Sequence, residues 1–207
     1  TLAKVQKNLG YRLPVQAAQE AMVVEELFRG NFGPLKRLCG KFDAFQDLPF
    51  SQGATYAVAD SMFPGSKFIL STRDSDEWFE SLTRFHLSGI LKQAGVGSLD
   101  QFSETSFKNK AIYLHDNYLY NVSRRHACSI VDNSLRYDWS LVYDRQHRIR
   151  DYEARNRQII EHFQDRTDQL LVLDVTKERD TSAIVDFLGL SRTYVREMPH
   201  LNRSAPQ

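Results

Sequence analysis

Cysteine is scarce in this 207-residue chain, with Cys39 and Cys128 the only two. They supply neither a disulfide framework nor the paired spacing of a metal knuckle, and they read as buried thiols. An excess of one charge is lacking too. Twenty-seven Lys and Arg stand against 26 Asp and Glu, a net charge of +1, so no global field selects nucleic acid or an anionic membrane. No run approaches the roughly 18 apolar residues of a membrane-crossing helix, and no signal peptide is visible. The expected location is therefore cytoplasmic, with no membrane or nucleic-acid partner. Internal repeats, low-complexity blocks and linker-like stretches are missing, which excludes solenoids and modular strings. What remains is a length suited to one α/β domain with a sizeable core.

The stretch from Phe63 to Leu82, FPGSKFILSTRDSDEWFESL, organises the rest. Pro64-Gly65 is a turn signal. Lys67 to Leu70 is a short apolar run with the length of a buried parallel strand. Arg73 then falls at that strand's carboxyl end. Asp74 or Ser75 can cap the helix that follows, and Asp76 and Glu77 suit the positive end of its dipole. Ser81 comes about two helical turns after Arg73. Ligands of open α/β sheets sit outside the carboxyl ends of the strands, and a guanidinium with a hydroxyl makes a good donor set for a phosphate dianion. The plainer alternative is a helix-cap ion pair at Arg73 and an ordinary helix-face serine at Ser81.

Helices are expected over Thr1–Leu9 (ended by Gly10), Pro14–Phe28 and Ser51–Met62, with a short turn of helix at Leu35–Leu38. Strands are expected near 42–46, 67–72 and 169–174. The first is stopped by Pro49 and leaves Asp47 at its carboxyl end. A carboxylate there can accept a proton from a weakly acidic hydroxyl or amine, or simply cap the next turn. From Gly89 to Ser129 the pattern is irregular and rich in aromatics, the usual character of a specificity-bearing insertion. His86, His115 and His126, in or near it, are rival bases to Asp47, although none lies in a recognisable motif. Trp78 reads as a packing residue. Arg124-Arg125-His126 is either a solvated turn or an anion contact. Residues 138–164 read as a long helical region whose apolar stripe is Ile149, Tyr152, Ile159, Ile160 and Phe163. A last helix is expected over Thr181–Leu188, ended by Gly189.

The pattern aromatic-Pro-Gly-x-Lys-Phe-Ile-Leu-x-x-Arg-Asp-x-x-x-Trp-x-x-Ser resembles the sulfotransferases that use 3′-phosphoadenosine 5′-phosphosulfate (PAPS) as sulfate donor. Three further segments carry the same resemblance: Thr1-Leu2 to Leu9-Gly10-Tyr11, Asp47-Leu48-Pro49, and the run from Leu170 through Phe187-Leu188-Gly189 to Pro199-His200-Leu201-Asn202. It implies a single domain over 1–207 of class α/β, a mostly parallel sheet with flanking helices in the P-loop NTPase-like sulfotransferase fold, with residues 90–140 as a variable acceptor-side insertion. It implies PAPS as co-substrate, no metal, and a small-molecule or glycan acceptor. Arg73 and Ser81 are expected to bind the donor's 3′-phosphate, and Asp47 to be the base. The family's amino-terminal strand and phosphosulfate loop come before the helix that starts here at Thr1. Both are expected upstream of residue 1, and Thr1 is expected to border that loop; a naturally loopless relative is the alternative. Tyr152 to Asn156 matches a family segment with a structural role. The family's exit-loop Gly-Trp is replaced by Lys177-Glu178-Arg179-Asp180, and the tail holds Arg192, Arg196 and Arg203 as further phosphate-binding candidates. A P-loop small-molecule kinase and a non-catalytic nucleotide-binding relative are the alternatives, and the former would use Mg²⁺.

Overall fold

The computed structural model describes residues 1–199, apart from the side chain of Phe28. In chain order its helices and strands are α1 (Leu2–Asn8), α2 (Gln16–Phe28), α3 (Gly33–Cys39), α4 (Thr55–Met62), β1 (Phe68–Ser71), α5 (Ser75–Ser88), α6 (Ile90–Gln93), α7 (Tyr118–Ala127), β2 (Cys128–Val131), β3 (Ser134–Tyr137), α8 (Arg145–His162), β4 (Leu170–Leu173) and α9 (Ser182–Phe187). The class is α/β with a small sheet content: β1 pairs with β4 in parallel, and β2 with β3 antiparallel. The chain divides into two compact units, residues 1–72 with 158–207, and residues 73–157.

In the first unit the β1–β4 pair runs in register from Phe68 opposite Leu170 to Ser71 opposite Leu173. Both strands alternate between two apolar clusters. Phe68, Leu70 and Leu170 pack with Tyr56, Ile159 and Phe163. Ile69, Leu171 and Leu173 pack with Val5, Ile184 and Met198. Cover on both faces, incomplete only at the 42 %-exposed Val172 and at Ser71, is why these strands read as continuous apolar runs. The first helix ends in a Schellman motif: Gly10 takes φ +87°, its amide donates to Lys7, and the Tyr11 amide donates to Gln6. Only a residue without Cβ takes that conformation at no steric cost.

No strand forms at 42–46. The amides of Asp43 and Ala44 instead donate to the carbonyl of Arg12, while the Arg12 guanidinium grips the Asp43 carboxylate at 2.8 and 2.9 Å. This charge-assisted fork holds the Asp43 carboxyl down at about 2 and fixes the segment as a loop. The second and fourth helices begin later than expected, at Gln16 and Thr55. Asp60 is buried between His162 and Arg166, each within 2.8 Å.

The second unit is built on α5, α7 and α8. Leu91, Ala94, Val96, Phe107 and Ile112 form its apolar cluster. The irregular aromatic stretch ends in an unanticipated hairpin, β2–β3. Its two-residue loop, Asp132-Asn133, has φ +49° and +57°, the left-handed pair that matches strand twist in tight hairpins. On α8, Ile159 is buried as expected, whereas Ile160 is 44 % exposed and leaves the apolar stripe. Among the described residues no helix is long and apolar enough to cross a membrane.

Candidate functional site

The amino end of α5, in the 73–157 unit, is braced by several polar contacts. Asp74 is the N-cap, and its carboxylate accepts the amides of Asp76 and Glu77 at 3.1 Å each, satisfying two of the helix's orphan donors. Arg73 immediately precedes it. The Arg73 amide donates to the phenol oxygen of Tyr152 at 2.9 Å, and the same phenol donates back to the Arg73 carbonyl at 3.3 Å. The Tyr152 ring lies flat on Trp78, centroids 4.3 Å apart and planes 12° apart. Ser75 donates its hydroxyl to Glu153 at 2.7 Å, and Arg145 binds Asp76 at 2.8 Å. Helix α8 thus fixes the backbone on both sides of the Asp74 cap.

The side chain of Arg73 spends one donor, Nε, on Glu77 at 3.0 Å. Its two terminal nitrogens carry no hydrogen bond to any described residue. Glu77 and Ser81 share one side of α5 by their 4-residue spacing, and Arg73, one residue before the N-cap, is tied to that side through its bond to Glu77. Ser81 is half-buried there, with a hydroxyl that is likewise unengaged among the described residues. A partly exposed guanidinium fork with donors to spare suits the requirements of a phosphate group, and the Ser81 hydroxyl, one turn beyond Glu77, is a further donor.

Asp47 belongs to the first unit. It is exposed, takes φ +56°, and precedes a cis Leu48–Pro49 bond. The Ser51 hydroxyl donates to its carboxylate at 3.3 Å. The loop is held from α2. Gln19, 1 % exposed, donates its side-chain amide to the carbonyls of Gln46 (2.9 Å) and Leu48, which flank Asp47, and Gln16 adds a bond to Leu48 at 3.3 Å. Sequence reasoning missed Gln19. Its signal was a cluster of polar residues, Gln16, Gln19 and Glu20, at the start of a helix whose later buried positions are Val23 and Val24. Thr1 is the half-buried N-cap of α1, and its carbonyl accepts the amides of Lys4 and Val5.

The three histidines weighed as bases are engaged elsewhere. His86 pairs with the Tyr143 phenol at 2.9 Å, His126 with Asp151 at 3.0 Å, and His115 with the Asp116 carbonyl at 2.9 Å. Burial, reinforced by the charge of Arg148, pushes both His86 and His126 down to about 4, so both are neutral near pH 7. In the basic cluster, Arg124 lies over the Tyr137 ring at 4.5 Å and bonds its hydroxyl. In the exit loop, Asp180 accepts the Ser182 amide at the start of α9. Arg192 is paired with Asp186, and Arg196 with the carbonyls of Thr193 and Val195. Arg203 and the motif from His200 to Asn202 lie outside the described residues. Among the described residues no three His, Cys, Asp or Glu side chains gather to hold a metal ion.

A family model described as "Sulfotransferase domain" matches residues 7–206. The chain belongs to the sulfotransferase domain family. The match runs through both units and contains Asp47, Arg73 and Ser81. No curated protein sequence matches the chain. As a sulfotransferase domain it is a transferase, and the expectation drawn from the Phe63–Leu82 stretch holds at the level of the family.

Proposed function

We propose that this sulfotransferase domain moves a sulfuryl group from PAPS to a hydroxyl or amine of a small-molecule or glycan acceptor. The observation that carries the reading is Arg73. It is anchored through its backbone by Tyr152, two residues after a parallel strand and one before the cap of α5, with two guanidinium nitrogens unspent among the described residues and the likewise unengaged hydroxyl of Ser81 on α5, one turn beyond the Glu77 that it grips. When bound, the donor supplies an activated sulfuryl group and a bisphosphate leaving group.

The chain's own contribution is positioning and charge. Arg73 and Ser81 hold the ribose-side 3′-phosphate, and Glu77 keeps the Arg73 side chain oriented before the phosphate arrives. Thr1, at the start of α1, borders the phosphosulfate end. Asp47 takes the proton from the acceptor's hydroxyl or amine, because the attacking atom must lose it as the new S–O or S–N bond forms. Catalysis by placement, with one proton acceptor, is what an in-line transfer through a loose transition state requires. Gln19 supports Asp47 by fixing the carbonyls on either side of it.

A PAPS-dependent assay across phenols, alcohols, amines and sugars tests the reading, together with binding of adenosine 3′,5′-bisphosphate against ATP. Saturable bisphosphate binding and PAPS-dependent product formation are expected. Tight ATP binding without bisphosphate binding contradicts it.

A further inference from the structure

Arg148 sits in the first turn of α8 and is 8 % exposed. Its Nε and Nη1 are enclosed by protein and meet no hydrogen-bond acceptor among the described residues. A guanidinium does not shed its proton in a folded protein, so the charge stays inside. A buried charge with no partner is among the costliest features a fold can carry.

The surroundings of Arg148 are specific. The first turn of α8 holds no acid, although it is the positive end of the dipole. It holds three basic residues instead. Arg145 is answered by Asp76 and Glu80, and His147 approaches Asp151 at 3.6 Å. Among the described residues no carboxylate is hydrogen-bonded to Arg148: Asp151, whose field reaches it, is bonded to His126 at 3.0 Å. Around the guanidinium stand Trp78, whose ring centre is 5.9 Å away, and His86, His126 and Tyr143, all of which sense its charge. Near pH 7 these four are neutral, so they wall the site without cancelling its charge.

We infer that Arg148 anchors an oxyanion-binding site within the 73–157 unit, and that its ligand is a carboxylate or sulfate group carried by the acceptor. The site stands on the geometry alone, whereas the choice of acceptor rests on the sulfotransferase reading. Trp78, beneath Arg148, stacks on Tyr152, and Tyr152 holds the backbone of Arg73. The site is thus one aromatic pair away from the residue assigned to the donor, whose 3′-phosphate already has Arg73 and Ser81. A guanidinium beside aromatic walls suits a flat, acidic acceptor such as a hydroxybenzoate. The donor's phosphosulfate is the other source of the same oxyanion chemistry.

Thermal melts separate the possibilities. Wild type, Arg148→Met and Arg148→Lys are compared in phosphate-free buffer with sodium sulfate, sodium benzoate, or sodium chloride at matched ionic strength. Sulfate and benzoate are expected to raise the wild-type midpoint saturably above chloride. The excess should vanish in Arg148→Met and be mostly lost in Arg148→Lys, which keeps the charge without the fork. Without anion, Arg148→Met should melt no lower than wild type, because it removes an unpaired buried charge. In the PAPS assay, the preference in kcat/KM for hydroxybenzoate over phenol should fall at least tenfold in Arg148→Met. A wild-type midpoint with no saturable excess overturns the site, an enclosed water then serving Arg148. Weakened bisphosphate binding in Arg148→Met overturns the acceptor in favour of the donor. Sulfate binding that needs Arg148, in a protein that binds no bisphosphate, supports the site and overturns the sulfotransferase reading and the acceptor with it.

Discussion

The phenol oxygen of Tyr152 accepts the backbone amide of Arg73 at 2.9 Å while its ring stacks on Trp78. One side chain from α8 therefore sets both the position of Arg73, the arginine proposed to bind the donor, and the packing of the helix behind it. Tyr152→Phe keeps the stack and removes the hydroxyl. The Arg73 amide then loses its partner, at a cost of ~1 kcal/mol in stability. Bisphosphate affinity should fall several-fold, measured by calorimetry, with the circular dichroism spectrum unchanged.

The carboxylate of Asp47 and the side-chain amide of Gln19 make a second testable pair. Asp47→Asn should slow turnover while leaving bisphosphate affinity near wild type; full activity removes Asp47 as the base. Gln19→Leu leaves the Gln46 carbonyl without its buried donor and the Leu48 carbonyl with Gln16 alone, and should lower stability by about 1–3 kcal/mol. A positioning role predicts in addition a lower kcat at unchanged donor Kd. A fall in stability alone would assign Gln19 to structure only.

Two half-buried histidines make the fold sensitive to acid. His86 and His126 titrate near 6.5 when unfolded and at about 4 when folded. The unfolded chain binds their protons first, so stability is full above pH 6.5 and falls as the pH drops towards 4. The loss should be on the order of 2 kcal/mol per histidine. Urea melts at pH 7 and 5 in chloride buffer check it, and His86→Gln and His126→Gln should each flatten the slope.

Much of this arrangement was legible in the residues. The run Lys67–Leu70, bounded by Pro64-Gly65 and Asp74, carries its own start, strand and cap, and the structure has β1 over Phe68–Ser71 and α5 capped by Asp74. Gln169–Asp174 was equally plain, because a strand covered on both faces is apolar without interruption. The segment 42–46 misled for a long-range reason. Its apolar residues fit a strand, but its amides are claimed by the carbonyl of Arg12, some 30 residues away. The β2–β3 hairpin was missed although Asp132-Asn133 lies between two short β-prone runs. Arg148 was illegible because α8 bears charge on most faces, and sequence alone does not say which charge turns inward.

The donor site is tested most directly by calorimetric titration of adenosine 3′,5′-bisphosphate into wild type and Arg73→Ala. Saturable wild-type binding should weaken by ~2–4 kcal/mol when the charge-assisted contact is lost, with the melting curve little changed. Equal affinity in the two proteins, or no wild-type binding, would contradict the assignment of Arg73 to the 3′-phosphate.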